Sequence, residues 1–167
     1  MGRSNVKRMA RSAIPSLRQQ LLPGDVRDVW LATLRSHWKS LALVPASPGG
    51  SVVELGRALS ELGTLMRGRP VPLMSAVDLS LGTLAQFTEA LSRQAGKAIG
   101  ATSDEDQRVI VAISSVVSEP LGVAVALACD AILLVIELGK SDIESARKTV
   151  EVIGAERFIG SLTIGKH

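Results

Sequence analysis

Short apolar runs alternate with amphipathic segments along most of this chain. The apolar runs lie at 41–44, 71–77, 109–113, 131–136 and 158–164. Between them apolar residues recur at helical spacing, as in Val52, Leu55, Leu59 and Leu62. Strands that are apolar on both faces and separated by helices are typical of a parallel sheet covered on both sides. The pattern therefore predicts an α/β fold, an open and doubly wound sheet of five parallel strands.

The same pattern places a helix before the first strand and one after each of the first four strands. The predicted ranges are 28–39, 51–62, 82–98, 119–128 and 141–153. Gly63 and Gly154 are the predicted ends of the second and fifth helices. Ser141 followed by Glu144 has the spacing of a capping box, which places the start of the fifth helix. The helix at 28–39 is predicted to be amphipathic.

Composition narrows the class of protein. With no Tyr, 2 Phe and 2 Trp against 46% hydrophobic residues, we expect a core of Leu, Val, Ile and Ala without aromatic anchors. A single cysteine, Cys129, excludes an intramolecular disulfide and fits a reducing cytoplasm. Together with His37 and His167 it makes no metal-binding set, so we predict no metal. The longest apolar run, 121–138, is broken by Gly122, Asp130 and Glu137, which argues against a membrane span.

Charge is distributed unevenly. Residues 1–40 carry 8 Lys or Arg against 2 Asp, a net of +6, and the other 127 residues carry 11 basic against 14 acidic, a net of −3. We predict a basic flexible arm at 1–24 and a single domain at 25–167. The arm is a candidate to touch an anionic membrane surface or nucleic acid, and a solvated tail is the alternative.

The first strand leads into a Gly/Pro-rich turn and a helix start, which is the layout of a phosphate-binding loop. That motif requires Gly-x-x-x-x-Gly-Lys-Ser/Thr, because backbone N–H groups cradle the phosphates and the lysine neutralises their charge. Here Gly49 and Gly50 are followed directly by Ser51, and the lysine is absent. The three residues are either a vestigial nucleotide-binding loop or a tight turn between strand and helix. We expect no cofactor, with ATP or ADP binding as the alternative.

The order of these pieces resembles the bacterial tyrosine kinases of capsule and exopolysaccharide export and, more broadly, the MinD/ParA-type P-loop ATPases. The resemblance covers roughly 28–164. Val109–Val116 is similar to the family's strand that ends in Asp-x-Pro-Pro, and Ser118–Ala126 is similar to the helix that follows it. Ala128–Val135 is similar to an element in which an alanine and an aspartate precede a hydrophobic strand. The strand that begins near Glu156 is similar to the family's closing strand. The resemblance implies a P-loop NTPase-like fold.

The departures from that family concern its catalytic residues. Gly50 stands where the resemblance implies the lysine, and Ala112 stands where it implies the aspartate that holds Mg²⁺. Ser114 and Ser115 replace the two prolines, and only Asp78 stands near the family's second acidic strand. Phosphoryl transfer depends on the lysine, the metal and positioning. We therefore expect no ATPase or kinase activity and no catalytic residues.

These observations favour a non-catalytic protein that works by contacting other proteins. The resemblance implies an accessory or regulatory subunit of exopolysaccharide export or cell-surface assembly, cytoplasmic or peripheral to the inner membrane. Its partner would be an active ATPase relative, a membrane export component or a second copy of the chain. The alternatives are a nucleotide- or metabolite-binding regulator that uses a crevice at Asp78, Ser114 and Ser115, and a ParA/MinD-like positioning protein. The candidate docking residues lie on the first helix and are Arg27, Trp30, Leu31, Leu34 and Arg35.

Overall fold

The computed structural model describes residues 23–50, 52–96 and 106–165. Within these ranges helices and strands alternate in the order α1 Pro23–Thr33, β1 Ser40–Pro45, α2 Val53–Arg67, β2 Leu73–Ala76, α3 Leu81–Gln94, β3 Val109–Ile113, α4 Leu121–Ala128, β4 Ala131–Glu137, α5 Ile143–Ile153 and β5 Phe158–Ile164. A 3₁₀ turn at Ala155–Arg157 leads into β5. The predicted arm lies outside the described residues, apart from its last two positions, which open α1.

All five strands are parallel and form one sheet in the order β2-β3-β1-β4-β5. The central strand, β1, therefore pairs with β3 on one side and with β4 on the other. The side chains of β1 divide between two cores, since Leu41 and Leu43 pack with α1 and α2 while Ala42 and Val44 pack with α3, α4 and α5. Helices on both faces of a parallel sheet confirm the predicted α/β, doubly wound fold.

The prediction of a core without aromatic anchors is wrong. Trp30 and Trp38 are 1% and 2% exposed, and their rings meet edge to face, with centroids 6.0 Å apart and an interplanar angle of 87°. The Nε1–H of Trp38 donates to the carbonyl oxygen of Thr33 at 2.9 Å. Both rings belong to the core between the sheet and the α1–α2 pair. Two large rings therefore fill space in this core that the composition led us to assign to aliphatic side chains.

Several predicted boundaries differ from the structure. The helix α2 continues through Gly63 and ends at Arg67, where Gly68 caps it with φ +65°. Gly63 is a packing residue and not a helix stop, because a Cβ there would lie 2.5–3.0 Å from the ring of Trp30. The helix α1 starts at Pro23 and ends at Thr33, earlier than 28–39, since the chain then turns to bury Trp38. Two strands, β3 and β5, and the end of α5 at Gly154 match the predictions.

The start of α5 is also capped differently from the prediction. Asp142, not Ser141, is the N-cap, and its Oδ1 accepts from the backbone N–H of Ser145 at 2.7 Å. The hydroxyl of Ser141 instead accepts from the backbone N–H of Glu137 at 2.9 Å and closes the turn after β4. The predicted partnership of Ser141 with Glu144 is therefore absent. No helix in the described ranges combines the length and the apolar character needed to cross a membrane.

Candidate functional site

The carboxyl edge of the sheet around β1 is the expected ligand position in this fold. The chain leaves β1 for α2 on one face of the sheet, whereas it leaves the neighbouring strands β3 and β4 for helices on the other face. Ligands in open α/β sheets bind at such a switch point, in the crevice beyond the carboxyl ends of the strands. The residues that follow Pro45 therefore form the first candidate site.

Those residues form a closed four-residue turn. The backbone N–H of Gly50 donates to the carbonyl oxygen of Ser47 at 3.2 Å, Pro48 is second in the turn, and Gly49 is third with φ +78°. Proline second and a positive φ third are the features of a type II β-turn. A Cβ at position 50 would lie 2.9 Å from Cβ of Pro45, so the turn folds back onto the strand. The Gly50 N–H is thereby used inside the turn; Ser51 lies outside the described residues.

The turn is also fastened to α5. Ser47 is buried, and its hydroxyl accepts from the backbone N–H of Asp142 at 3.0 Å and lies 3.3 Å from Oδ2 of the same residue. The hydroxyl of Thr149, further along α5, donates to the carbonyl oxygen of Ala46 at 3.3 Å. These contacts hold the turn after β1 against the first two turns of α5.

Asp142 is the carboxylate at the centre of this arrangement. Hydrogen bonds from the backbone N–H and then the hydroxyl of Ser145 lower the pKa of the Asp142 carboxyl, and the Ser47 hydroxyl acts in the same direction. Its role is to cap a helix and to fix a turn. Sequence reasoning missed both Ser47 and Asp142, although a serine two residues after a buried strand and an aspartate before an amphipathic helix were the available signals.

The other crevice candidates are spread along the edge. Ser114 is half-buried and directly follows β3, the strand next to β1. Ser115 is 3% exposed, and its Oγ is buried without a hydrogen-bond partner, so its side chain belongs to the interior of the loop. Asp78 follows β2, which is separated from β1 by β3, and it is exposed with φ +59°. The structure therefore brings Ser114, but not Asp78, towards the turn.

The strand register places Ala112 inside the sheet and not at its carboxyl edge. Ala112 is the position at which the resemblance implies an aspartate that holds Mg²⁺. Ala112 pairs with Leu43 inside the sheet, is fully buried, and packs with the α1–α2 core. An acid there would lie in an apolar core, and the edge position past β3 is Ser114. Among the residues that the structure describes, no group of three or more His, Cys, Asp and Glu could hold a metal ion. The lysine after β4, Lys140, is paired with Glu137 at 2.5 Å.

The predicted docking residues lie on α1 and in the turn that follows it, and they are only partly on the surface. Arg27, Leu31, Leu34 and Arg35 are exposed, and the two leucines are 41% and 39% exposed. Trp30 is buried in the core and does not face a partner. Of the candidate docking residues, the two arginines and the two leucines are therefore accessible to a partner, and the tryptophan is not.

A second exposed surface with apolar residues lies beside α5. An open groove of about 580 Å³ has Leu134 of β4 in its lining, together with residues of one face of α5 and Ala155 just after it. Ile143, at the start of α5, is 88% exposed on this groove. In comparisons with known proteins, no family model and no curated protein matches this chain.

Proposed function

We propose that this protein is a non-catalytic α/β protein with a P-loop-like fold that acts by contacting proteins and not by turning over a nucleotide. The observation that carries the proposal is the closed turn Ser47–Gly50, fastened to Asp142 at the place where a phosphate loop would stand. A phosphate loop needs several backbone N–H groups and a lysine aimed at one anion. In the turn, the Gly50 N–H donates to the carbonyl oxygen of Ser47, so it does not point at a ligand. Lys140 forms an ion pair with Glu137.

The test is calorimetric titration of the protein with ATP and with ADP, each with and without Mg²⁺. We expect no heat of binding in any of the four titrations. Binding that depends on Mg²⁺ would overturn the proposal, because it would require charges that the described edge does not offer.

A lysine added to the turn makes the test sharper. Gly50→Lys should not create nucleotide binding, since its Cβ would meet Pro45, and it should destabilise the fold by about 1–3 kcal/mol. Gly82→Lys is the matched control, because only the hydroxyl of Ser80 lies within 4 Å of its Cβ position. Nucleotide binding by the Gly50→Lys variant alone would show that the site lacked only its charge.

The contact surface that we assign to this function is the groove on α5, and the partner is a second copy of the chain. Arg147 and Glu151 lie one turn apart on the lining of this groove. When two α5 helices cross antiparallel about a two-fold axis near position 149, each Arg147 meets Glu151 of the second copy, and each Ile143 meets Ala155 of the second copy. Such a surface is complementary to itself in charge and covers the exposed Ile143, as a two-fold interface requires.

A charge exchange tests this surface. Light scattering after size exclusion should give a dimer for the wild type and a monomer for Arg147→Glu and for Glu151→Arg. The double variant Arg147→Glu/Glu151→Arg should recover the dimer, because the pairs are restored with opposite sense. A monomeric wild type, or dimers in both single variants, would overturn the assignment of this surface while leaving the nucleotide test unaffected.

The pathway and the cellular location that we propose rest on the resemblance alone. The resemblance supports an accessory subunit of exopolysaccharide export or cell-surface assembly, at the inner face of the membrane, as the setting of such a protein. A regulator that binds a nucleotide or a metabolite in a crevice at Asp78, Ser114 and Ser115 is the competing assignment. Titration with nucleotides separates the two, since saturable binding would favour the regulator.

A further inference from the structure

An exposed apolar patch lies where α1 and α2 end. It consists of four side chains that are 39–80% exposed: Leu31, Leu34, Leu65 and Met66. The first two belong to the last turn of α1 and the turn after it, and the other two to the last turn of α2. This α1–α2 patch and the α5 groove lie on opposite faces of the sheet.

One packing contact brings the two halves of the patch together. Both helices run towards the amino edge of the sheet, because the Trp30 and Trp38 rings join the end of α1 to the start of β1, and α2 leads from the end of β1 to β2. The ring of Trp30 lies against Gly63 of α2. Leu34 comes four residues after Trp30, and Met66 comes three after Gly63. Each therefore continues the line of contact between the helices by one turn.

The segment of chain that leads into α1 has a complementary apolar face. Within 14–22, Ile14, Leu17 and Leu21 recur at helical spacing, and Gln19 falls on the opposite side. Pro23 is the first residue of α1. Proline has no backbone N–H and keeps the residue before it out of the helical conformation, so α1 does not extend backwards through it. The chain therefore changes direction where 14–22 meets α1.

The length of the segment matches the distance to the patch. A helix over 14–22 is about 14 Å long, and Leu31 lies eight residues, about 12 Å, beyond Pro23 along α1. If the segment folds back along α1, Ile14 comes level with Leu31. Arg18 then comes level with Asp28, an exposed acid of α1. An exposed ion pair adds little free energy, so the apolar residues carry the contact.

We infer that segment 14–22 packs as a helix on the α1–α2 patch and covers it. The occupant is the chain's own segment, because it is tethered to one of the two helices, has the spacing of the required apolar face and has the required length. The tether gives it a high effective concentration at the patch. Two candidate docking residues, Leu31 and Leu34, are then covered until a partner displaces the segment. This inference is independent of the turn Ser47–Gly50 and of the α5 groove.

Disulfide trapping in the full chain tests the position of the segment. The native Cys129 is buried. The pair Ile14→Cys/Leu65→Cys should be trapped in most molecules as an intramolecular disulfide, seen as a faster-migrating monomer on a denaturing gel. Ile14→Cys/Val152→Cys is the matched control and should not be trapped, since Val152 is exposed on α5, on the other face of the sheet. No trapping, equal trapping in both pairs, or disulfide-linked dimers alone would overturn the inference.

Methionine methyl resonances report on the patch without a cross-link. Met66 belongs to the patch, whereas Met74 lies in β2 and packs in the core on the other face of the sheet. Leu17→Asp should shift the Met66 methyl resonance and leave that of Met74 in place, because the segment no longer packs on the patch. Gln19→Asp adds the same charge on the opposite side of the segment and should shift neither. An unchanged Met66 resonance in Leu17→Asp, or equal shifts in both variants, would overturn the inference.

Discussion

Single residues in this protein settle how closely its layers approach. Gly63 is the clearest case, because the ring of Trp30 occupies the space where a side chain would stand. A glycine in a helix interior ordinarily costs about 0.5–1 kcal/mol relative to alanine. The presence of glycine at position 63 is therefore unfavourable for the helix itself and is explained by packing. The gain is the burial of a full indole between α1 and α2.

Gly63→Ala should therefore destabilise the protein despite alanine's better helix propensity. A Cβ 2.5–3.0 Å from the Trp30 ring must displace a buried side chain, and we expect a loss of about 1–3 kcal/mol in the free energy of unfolding. Urea denaturation measures it, and Gly82→Ala in the exposed first turn of α3 is the control, expected to be neutral or slightly stabilising. A Gly63→Ala protein as stable as the wild type would contradict the packing described for Trp30.

Asp142 should contribute to stability in a manner that depends on pH. Its pKa is lowered in the folded protein, so its contribution is complete above the unfolded value of 3.8 and is lost as the pH falls through the lower folded value. The difference in urea midpoint between the wild type and Asp142→Ala should therefore be constant near neutral pH and should shrink in acid.

Asp142→Asn is the matched control for the charge. Asparagine caps helices about as well as aspartate, so this variant should keep most of the stability and lose the dependence on acid. A difference between wild type and Asp142→Ala that grows as the pH falls would contradict the described role of the carboxylate.

At the scale of elements, one aspartate joins two strands at the amino edge of the sheet. The Oδ2 of Asp130 accepts from the backbone N–H groups of Lys39 and Ser40 at 2.8 and 2.9 Å and from the Ser40 hydroxyl at 3.2 Å. In return, the Asp130 N–H donates to the Ser40 hydroxyl at 2.9 Å. The residue that the resemblance places in an alanine–aspartate–strand element thus fastens the start of β1 to the start of β4.

Asp130→Ala should consequently destabilise the sheet at its centre. It removes the acceptor of two backbone donors, and we expect a loss of about 1–2 kcal/mol, with a smaller loss for Ser40→Ala, which removes only the hydroxyl. Hydrogen exchange at Ser40 and Leu41 gives the local measurement and should accelerate more in Asp130→Ala. Equal protection in both variants would mean that the backbone pairing of β1 and β4 is sufficient without the aspartate.

At the scale of the whole molecule, the basic charge is concentrated outside the described fold. Residues 1–22 carry 5 Lys or Arg and no acid, so the remainder of the chain, at +3 in total, has a net charge of −2. Charges of this kind bind anionic surfaces by releasing counterions, an effect that salt weakens. The described fold and the arm are therefore expected to respond differently to ionic strength.

Replacing the arm's five basic residues with glutamine should abolish binding to anionic vesicles at low salt and leave the melting temperature of the fold unchanged. Sedimentation with vesicles measures the binding, and thermal denaturation measures the stability. Vesicle binding that persists in this variant, and is insensitive to salt, would contradict an electrostatic role for the arm. Arg93→Gln, in an exposed pair with Glu89 on α3, controls for the loss of surface charge.

The fold class and most element positions follow from the sequence alone. Apolar runs of strand length and helical periodicity are local properties, and β3 at 109–113 and β5 at 158–164 have the ranges that the pattern predicts. The absence of a lysine at the turn is also readable without a structure. These features depend on neighbouring residues, whose spacing the sequence records directly.

The remaining features were decided by contacts between distant parts of the chain. Ser47 meets Asp142 across 95 positions, and the burial of Trp30 depends on a glycine in the next helix. Asp130 can hold the start of β1 only because the sheet places β4 beside it. The sequence by itself determined the layers and the absence of a lysine after Gly50; the tertiary structure decided the strand order, the closed turn and the burial of both tryptophans, because each depends on which segments the sheet places side by side.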